Sequence, residues 1–121
     1  MSVLDASALL CFLQDETGAD AVEAALVDGG VVGSANWSEV AQKVFQRGGN
    51  WELARSLLLS YGLSIEPVSE ADAELAARLW LELQSLSLGD RLCLALGERQ
   101  GASVLTTDRQ WPRSSTIIQV R

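Results

Sequence analysis

Short apolar runs alternate along the chain with longer stretches whose apolar residues recur every three or four positions. Ser2-Val3-Leu4-Asp5 reads as a buried strand and Ala6 to Leu13 as a helix, so the chain turns between Asp5 and Ser7. Thr17 to Val27 sets Ala21, Val22, Ala25 and Leu26 on one side and Asp20, Glu23 and Asp28 on the other, the pattern of a second helix ended by Gly29-Gly30. Val31 to Ser34 is the next strand. Asn36-x-x-Glu39 then has the form of a capping box that opens a helix to about Arg47. Asn50 caps a helix over Trp51 to Tyr61, and Leu63 to Glu66 is a strand stopped by Pro67. Ser69-x-x-Asp72 marks another capped start, with the helix running from Ala73 to Leu83. Ser85 to Gly89 is a link into the helix Asp90 to Gln100, which Gly101 closes. Ala102 to Thr106 and Thr116 to Val120 are the last strands, separated by a turn or short helix over Asp108 to Pro112.

Parallel strands need long crossovers, usually helical, so this alternation predicts an α/β fold: three layers, α/β/α, around a parallel sheet of about five strands. The length of 121 residues suits one domain, residues 1–121. The start of the chain has no basic segment, and the apolar run Val3 to Leu13 is interrupted by Asp5 and too short to span a bilayer, which gives a cytoplasmic expectation.

Composition changes the picture chiefly through what is missing. There is no histidine. Ser-His-Asp and Cys-His hydrolysis, histidine acid–base cleavage of nucleic acid and histidine-ligated zinc or iron are therefore excluded within this chain. Lys43 is the sole lysine and no GxxxxGK[ST] stretch exists, which removes a P-loop nucleotide site. Cys11 and Cys93 sit among leucines without metal or redox spacing and are expected to be buried free thiols. Trp37, Trp51, Trp80 and Trp111 lie at helical spacing among leucines or beside a turn and are expected in the core.

The net charge is −7, and residues 1–40 carry seven acids with no lysine or arginine. That balance disfavours indiscriminate phosphate binding and suits a hard cation or a basic protein partner.

In doubly wound sheets the functional crevice lies beyond the carboxyl ends of the strands. Asp5 ends the first strand, Glu39 lies in the first turn after the second, Asp90 starts a helix, and Asp108 follows the Val104-Leu105-Thr106 strand. Carboxylates gathered there repel one another unless their pKa values rise or a cation binds. With oxygen donors only, Mg²⁺ or Mn²⁺ is the preferred ion, and such an ion supports phosphodiester hydrolysis. Each acid also has a structural use: Glu39 as the third residue of a capping box, Asp90 as a helix-dipole acid, Asp108 as a turn former. Asp5 is harder to explain so, because an aspartate after a buried strand is costly without a partner. Asp15, Asp20, Glu23, Asp28, Glu70, Asp72 and Glu74 read as solvated faces or caps. Arg91 and Arg109 each follow a site acid and are candidate phosphate contacts, or charge balance for the acids.

Val3-Leu4-Asp5-Ala6-Ser7, Asn36-Trp37-Ser38-Glu39-Val40, Leu86 to Leu96 and Val104-Leu105-Thr106-Thr107-Asp108 together resemble, in order and interval, the motifs of PIN-domain ribonucleases, specifically the VapC-like toxins of type II toxin–antitoxin systems. The resemblance runs over essentially the whole chain. It implies a parallel sheet between helical layers, a Mg²⁺ or Mn²⁺ site and endonucleolytic cleavage of RNA. It also implies a homodimer and neutralisation by a cognate antitoxin. Asp5, Glu39, Asp90 and Asp108 would form its acidic quartet, Asp5, Asp90 and Asp108 holding metal, with Ser7 and Thr106 as supporting hydroxyls. The position of Asp108 is frequently asparagine in relatives, and the family usually has alanine or a similar small residue where Gly89 stands.

Two other metal-site classes fit less well. The Asp-x-Ser-x-Ser motif of von Willebrand A adhesion modules is matched at Asp5 and Ser7 but broken by Leu9, and haloacid-dehalogenase phosphatases need an aspartate where Ser7 stands. A PIN fold that binds RNA or a partner without cutting it is the remaining alternative, against which the complete quartet argues.

Overall fold

The computed structural model describes residues 1–121. Its strands are β1 (Ser2–Leu4), β2 (Gly30–Gly33), β3 (Ser64–Glu66), β4 (Ser103–Thr106) and β5 (Ile117–Gln119). Its helices are α1 (Ala6–Leu13), α2 (Ala19–Val27), α3 (Ser34–Gln46), α4 (Trp51–Ser60), α5 (Glu70–Leu79) and α6 (Leu88–Gln100). All strand pairs are parallel, in the order β3-β2-β1-β4-β5. The first strand is thus the centre of the sheet, with Val3 and Leu4 fully buried on its two faces.

Alternation along the strands builds both helical layers. Leu4, Val32 and Leu105 face one side, where they pack with Leu9, Val22, Leu26, Val40 and Leu58 of α1 to α4. Val3, Val31 and Val104 face the other and meet Cys93 and Leu96 of α6, together with Leu86 and Trp111. A leucine buried as fully as Leu4 or Leu9 contributes roughly 2 kcal/mol relative to exposure. Neither cysteine is bonded, and both are buried as expected. No helix is long and apolar enough to cross a membrane.

Several boundaries differ from the sequence expectation. Helix α3 begins at Ser34, with Gly33 in extended backbone as a cap that offers no side chain. Asn36 and Glu39 therefore lie inside the helix, and their capping box does not form. The box appears at α6 instead: Ser87 accepts from the Asp90 N–H, and the Asp90 carboxylate accepts from the Ser87 N–H. That helix starts two residues earlier than expected and ends at Gly101, whose φ of +61° favours glycine. The expected box Ser69-x-x-Asp72 does open α5, but the helix ends at Leu79, short of the expected Leu83. Trp80 falls at its C-cap and is 48% exposed rather than in the core, whereas Trp111 is buried.

Asp72 is likewise not a solvated acid. It is buried, and the Arg99 guanidinium of α6 grips both of its oxygens at 2.8 and 3.0 Å. Burial alone would raise the Asp72 pKa; the Arg99 fork and two hydrogen bonds with Ser69 overturn this and hold it below the usual carboxylate range.

Candidate active site

The carboxyl ends of β1, β2 and β4 open onto a cavity of about 190 Å³ lined by Asp5, Ser7, Glu39, Lys43, Asp90 and Asp108, with Ala6 and Leu10. All four expected acids thus meet in one place, although their sequence positions span most of the chain.

Asp5 is 2% exposed and is fixed from three directions. Its Oδ1 accepts from the Ser7 hydroxyl at 2.7 Å and from the Ala8 N–H at 2.7 Å, which also caps α1. Its Oδ2 accepts from the Thr106 hydroxyl at 2.5 Å. Both hydroxyls in turn accept backbone donors, Ser7 from the Thr107 N–H and Thr106 from the Asp108 N–H, each at 3.0 Å. With their only protons directed at Asp5, Ser7 and Thr106 are positioning groups rather than nucleophiles. Burial, opposed by these hydrogen bonds and aided by the charge of Asp90, pushes the Asp5 pKa up to about 6.

The remaining acids are each steadied through one oxygen. Asp90 Oδ2 accepts from the Ser87 N–H at 3.2 Å, and Asp108 Oδ1 from the Gln110 N–H at 2.9 Å, an Asx turn. Glu39 Oε1 accepts from Asn36 Nδ2 at 2.7 Å. Asn36 is buried within α3, and the same amide nitrogen donates to the Gly89 carbonyl at 3.2 Å, tying α3 to α6. A Cβ on Gly89 would stand 2.7 Å from Glu39 Oε1, so the missing side chain there is the seat of the Glu39 carboxylate. Asn36, Gly89 and Lys43 were not singled out as site residues by sequence reasoning. The signal for Lys43 was available, since it lies one helical turn beyond Glu39 on the same face.

Of the two arginines expected near phosphate, Arg91 points elsewhere: its guanidinium donates to the Ala76 carbonyl of α5 at 2.7 Å. Arg109 is exposed beside the cavity and makes no hydrogen bond or ion pair within the chain.

The donor set suits a hard divalent cation. Glu39, Asp90 and Asp108 each keep one oxygen free of protein partners, Lys43 is the only base among the lining residues, and the depth of Asp5 makes its charge costly unless neutralised. As the side chains stand, no three of these groups converge to ligating distance.

The raised Asp5 pKa carries a sign. Because the folded state binds this proton more tightly than the unfolded chain, Asp5 stabilises the fold progressively as pH drops through about 6, fully below 3.8, and withholds up to roughly 3 kcal/mol at neutral pH. In a chelator, the thermal midpoint is therefore expected to rise from neutral pH to about pH 5 more steeply than in an Asp5→Asn variant. Saturating Mg²⁺ or Mn²⁺ should raise the neutral midpoint and flatten the difference. Parallel pH profiles for the two chains would remove Asp5 as its source.

The sequence model of the PIN domain family matches residues 2–115, and the chain belongs to that family. Its fold is similar to a chain of a toxin–antitoxin complex from Klebsiella pneumoniae, with a TM-score of 0.80 and 18% identity over 100% of this chain and 98% of the other. The VapBC2 structure from Rickettsia felis, bound to a DNA fragment from its promoter, matches with a TM-score of 0.72 and 16% identity over 98% and 96%. VapC20 of Mycobacterium tuberculosis, a toxin that cleaves the sarcin–ricin loop, matches with a TM-score of 0.71 and 14% identity over 90% and 91%. No curated protein sequence matches.

Proposed function

We propose that the chain is a metal-dependent endoribonuclease and the toxin of a toxin–antitoxin pair. The observation that carries this reading is the convergence of Asp5, Glu39, Asp90 and Asp108 on one cavity at the carboxyl end of a PIN sheet. Asp5, Asp90 and Asp108 would hold Mg²⁺ or Mn²⁺. When bound, that ion neutralises the carboxylates, polarises the phosphate and favours ionisation of water. Glu39 Oε2, free of protein partners while Asn36 holds Oε1, would orient the attacking water and take its proton. Lys43 brings a positive charge to the same cavity for the phosphodiester.

The names of the similar structures support an antitoxin as partner. So do two surfaces of this chain. The N-terminal third is purely acidic, and a groove of about 310 Å³ beside α1, α3 and α4 presents the exposed Leu53 and Leu57. A basic and apolar segment would complement both. A homodimer and a cytoplasmic location follow from the family reading.

The test is cleavage of a total RNA pool with Mg²⁺ or Mn²⁺; activity that survives a chelator overturns the mechanism. A second measurement isolates the seat of Glu39. In Gly89→Ala the new methyl displaces a flexible carboxylate rather than backbone, so stability is expected to hold or rise by about 0.5 kcal/mol while cleavage falls only about two- to fivefold, in keeping with the alanine usual at this position in the family. In a Glu39→Ala background the same substitution should add nothing. An equal loss in both backgrounds would mean that Gly89 acts by another route.

A further inference from the structure

A second concavity, of about 440 Å³, runs along β5 and the loop after β4, and its charge is opposite to that of the acidic cavity. Arg109, Arg113 and Arg121 line it with Trp111, Ile117 and Gln119, and no aspartate or glutamate does. Only Arg121 has an acidic partner, Glu16 at 3.1 Å on the exposed surface; Arg113, like Arg109, has none. Elsewhere Arg99 is bound to Asp72 and Arg91 to a backbone carbonyl. A chain of net charge −7 thus gathers three of its nine bases around one acid-free groove. Guanidiniums crowded in this way repel one another unless an anion lies between them.

The groove adjoins the acidic cavity. Arg109 follows Asp108 directly, and Gln119 Nε2 donates to the Asp108 carbonyl at 2.8 Å, so one loop forms the wall of both. An anionic polymer leaving the acidic cavity at Asp108 therefore passes into the groove. A concavity of about 440 Å³ accommodates a short stretch of single strand but not the width of a duplex.

We propose that this groove is the track for the sugar–phosphate backbone of single-stranded RNA on the Asp108 side of the scissile bond, with Arg113 and Arg121 holding phosphates remote from that bond. This rests on the nuclease reading above. Because the contacts go to phosphate, the track supplies affinity and register without reading base sequence.

The experiment uses the full chain with Asp5→Asn, which leaves the groove intact, and a fluorescently labelled single-stranded RNA oligonucleotide, with anisotropy measured over a salt series. Removing two phosphate contacts by Arg113→Gln with Arg121→Gln is expected to weaken binding about tenfold at low salt and to lower the slope of log K against log salt by about 1.4. Arg55→Gln on α4 changes net charge by one unit outside the groove and should leave the slope unchanged. In the chain with Asp5 intact, the paired groove substitutions should raise KM and leave kcat as it was.

RNA binding that is indifferent to the paired substitutions overturns the proposal, and an acidic peptide that loses affinity in their place identifies a protein ligand. An equal response to Arg55→Gln also overturns it, since bulk charge would then be the cause. Groove-dependent binding without metal-dependent cleavage refutes the nuclease and leaves the track; cleavage untouched by the groove substitutions does the reverse.

Discussion

Replacing Asp5 by asparagine is expected to reduce RNA cleavage by at least about 10³-fold while leaving the fold intact. The side chain remains isosteric, so the Ser7 and Ala8 donors keep an acceptor and the Thr106 hydroxyl can turn to accept from the new amide. What is lost is the buried negative charge, the part of Asp5 a divalent ion would use. The variant should be as stable as the parent chain or more so at neutral pH, because burial already opposes ionisation there. Cleavage assays with Mn²⁺ and thermal melts on the same preparation check both halves. A variant that still cleaves at near-parental rate removes Asp5 from the chemistry, whereas one that fails to fold makes Asp5 a structural cap for α1 first.

The second large effect is on stability. Asp72→Ala is expected to cost about 2–3 kcal/mol, because it removes the α5 capping box and both charge-assisted bonds to Arg99 together. Its signature in pH is opposite to that of Asp5. The Asp72 pKa is depressed, so its contribution is present above the ordinary carboxylate pKa and is lost on further acidification. Denaturant melts of Asp72→Ala and Asp72→Asn at neutral and acidic pH separate the ion pair from the cap. A midpoint insensitive to either substitution would show that α5 is held by its packing alone. Catalysis should be little altered, since Asp72 and Arg99 do not line the acidic cavity.

The layered fold was legible in the sequence because two periodicities alternate cleanly. Val3 and Leu4, Val31 and Val32, and Val104 and Leu105 are all apolar, as strands covered on both faces must be. Asp5 and Asp108 were legible because each closes or follows an apolar strand, and Glu39 and Asp90 because each reads as an acid near the start of a helix. What the sequence hid was the local assignment. Asn36-x-x-Glu39 and Ser87-x-x-Asp90 both carry plausible capping residues, but α3 already starts at Ser34, so only the second lies at a helix start and forms a box. The Asn36 clamp and the Gly89 seat depend on the approach of α3 to α6, fifty residues apart in sequence, for which no short-range pattern exists. Trp80 misled for a similar reason: α5 stops one residue before it, so the helical face that would have buried it is never completed.

The threonine that completes the Asp5 network lies 101 residues beyond it, on the neighbour that the first strand acquires almost last. The cavity therefore cannot assemble before residue 108 has joined the growing chain. Nascent fragments that end ahead of Ser103 carry Asp5 without its Thr106 partner and without Asp108, so the buried carboxylate there has lost a donor and the cavity one of its walls.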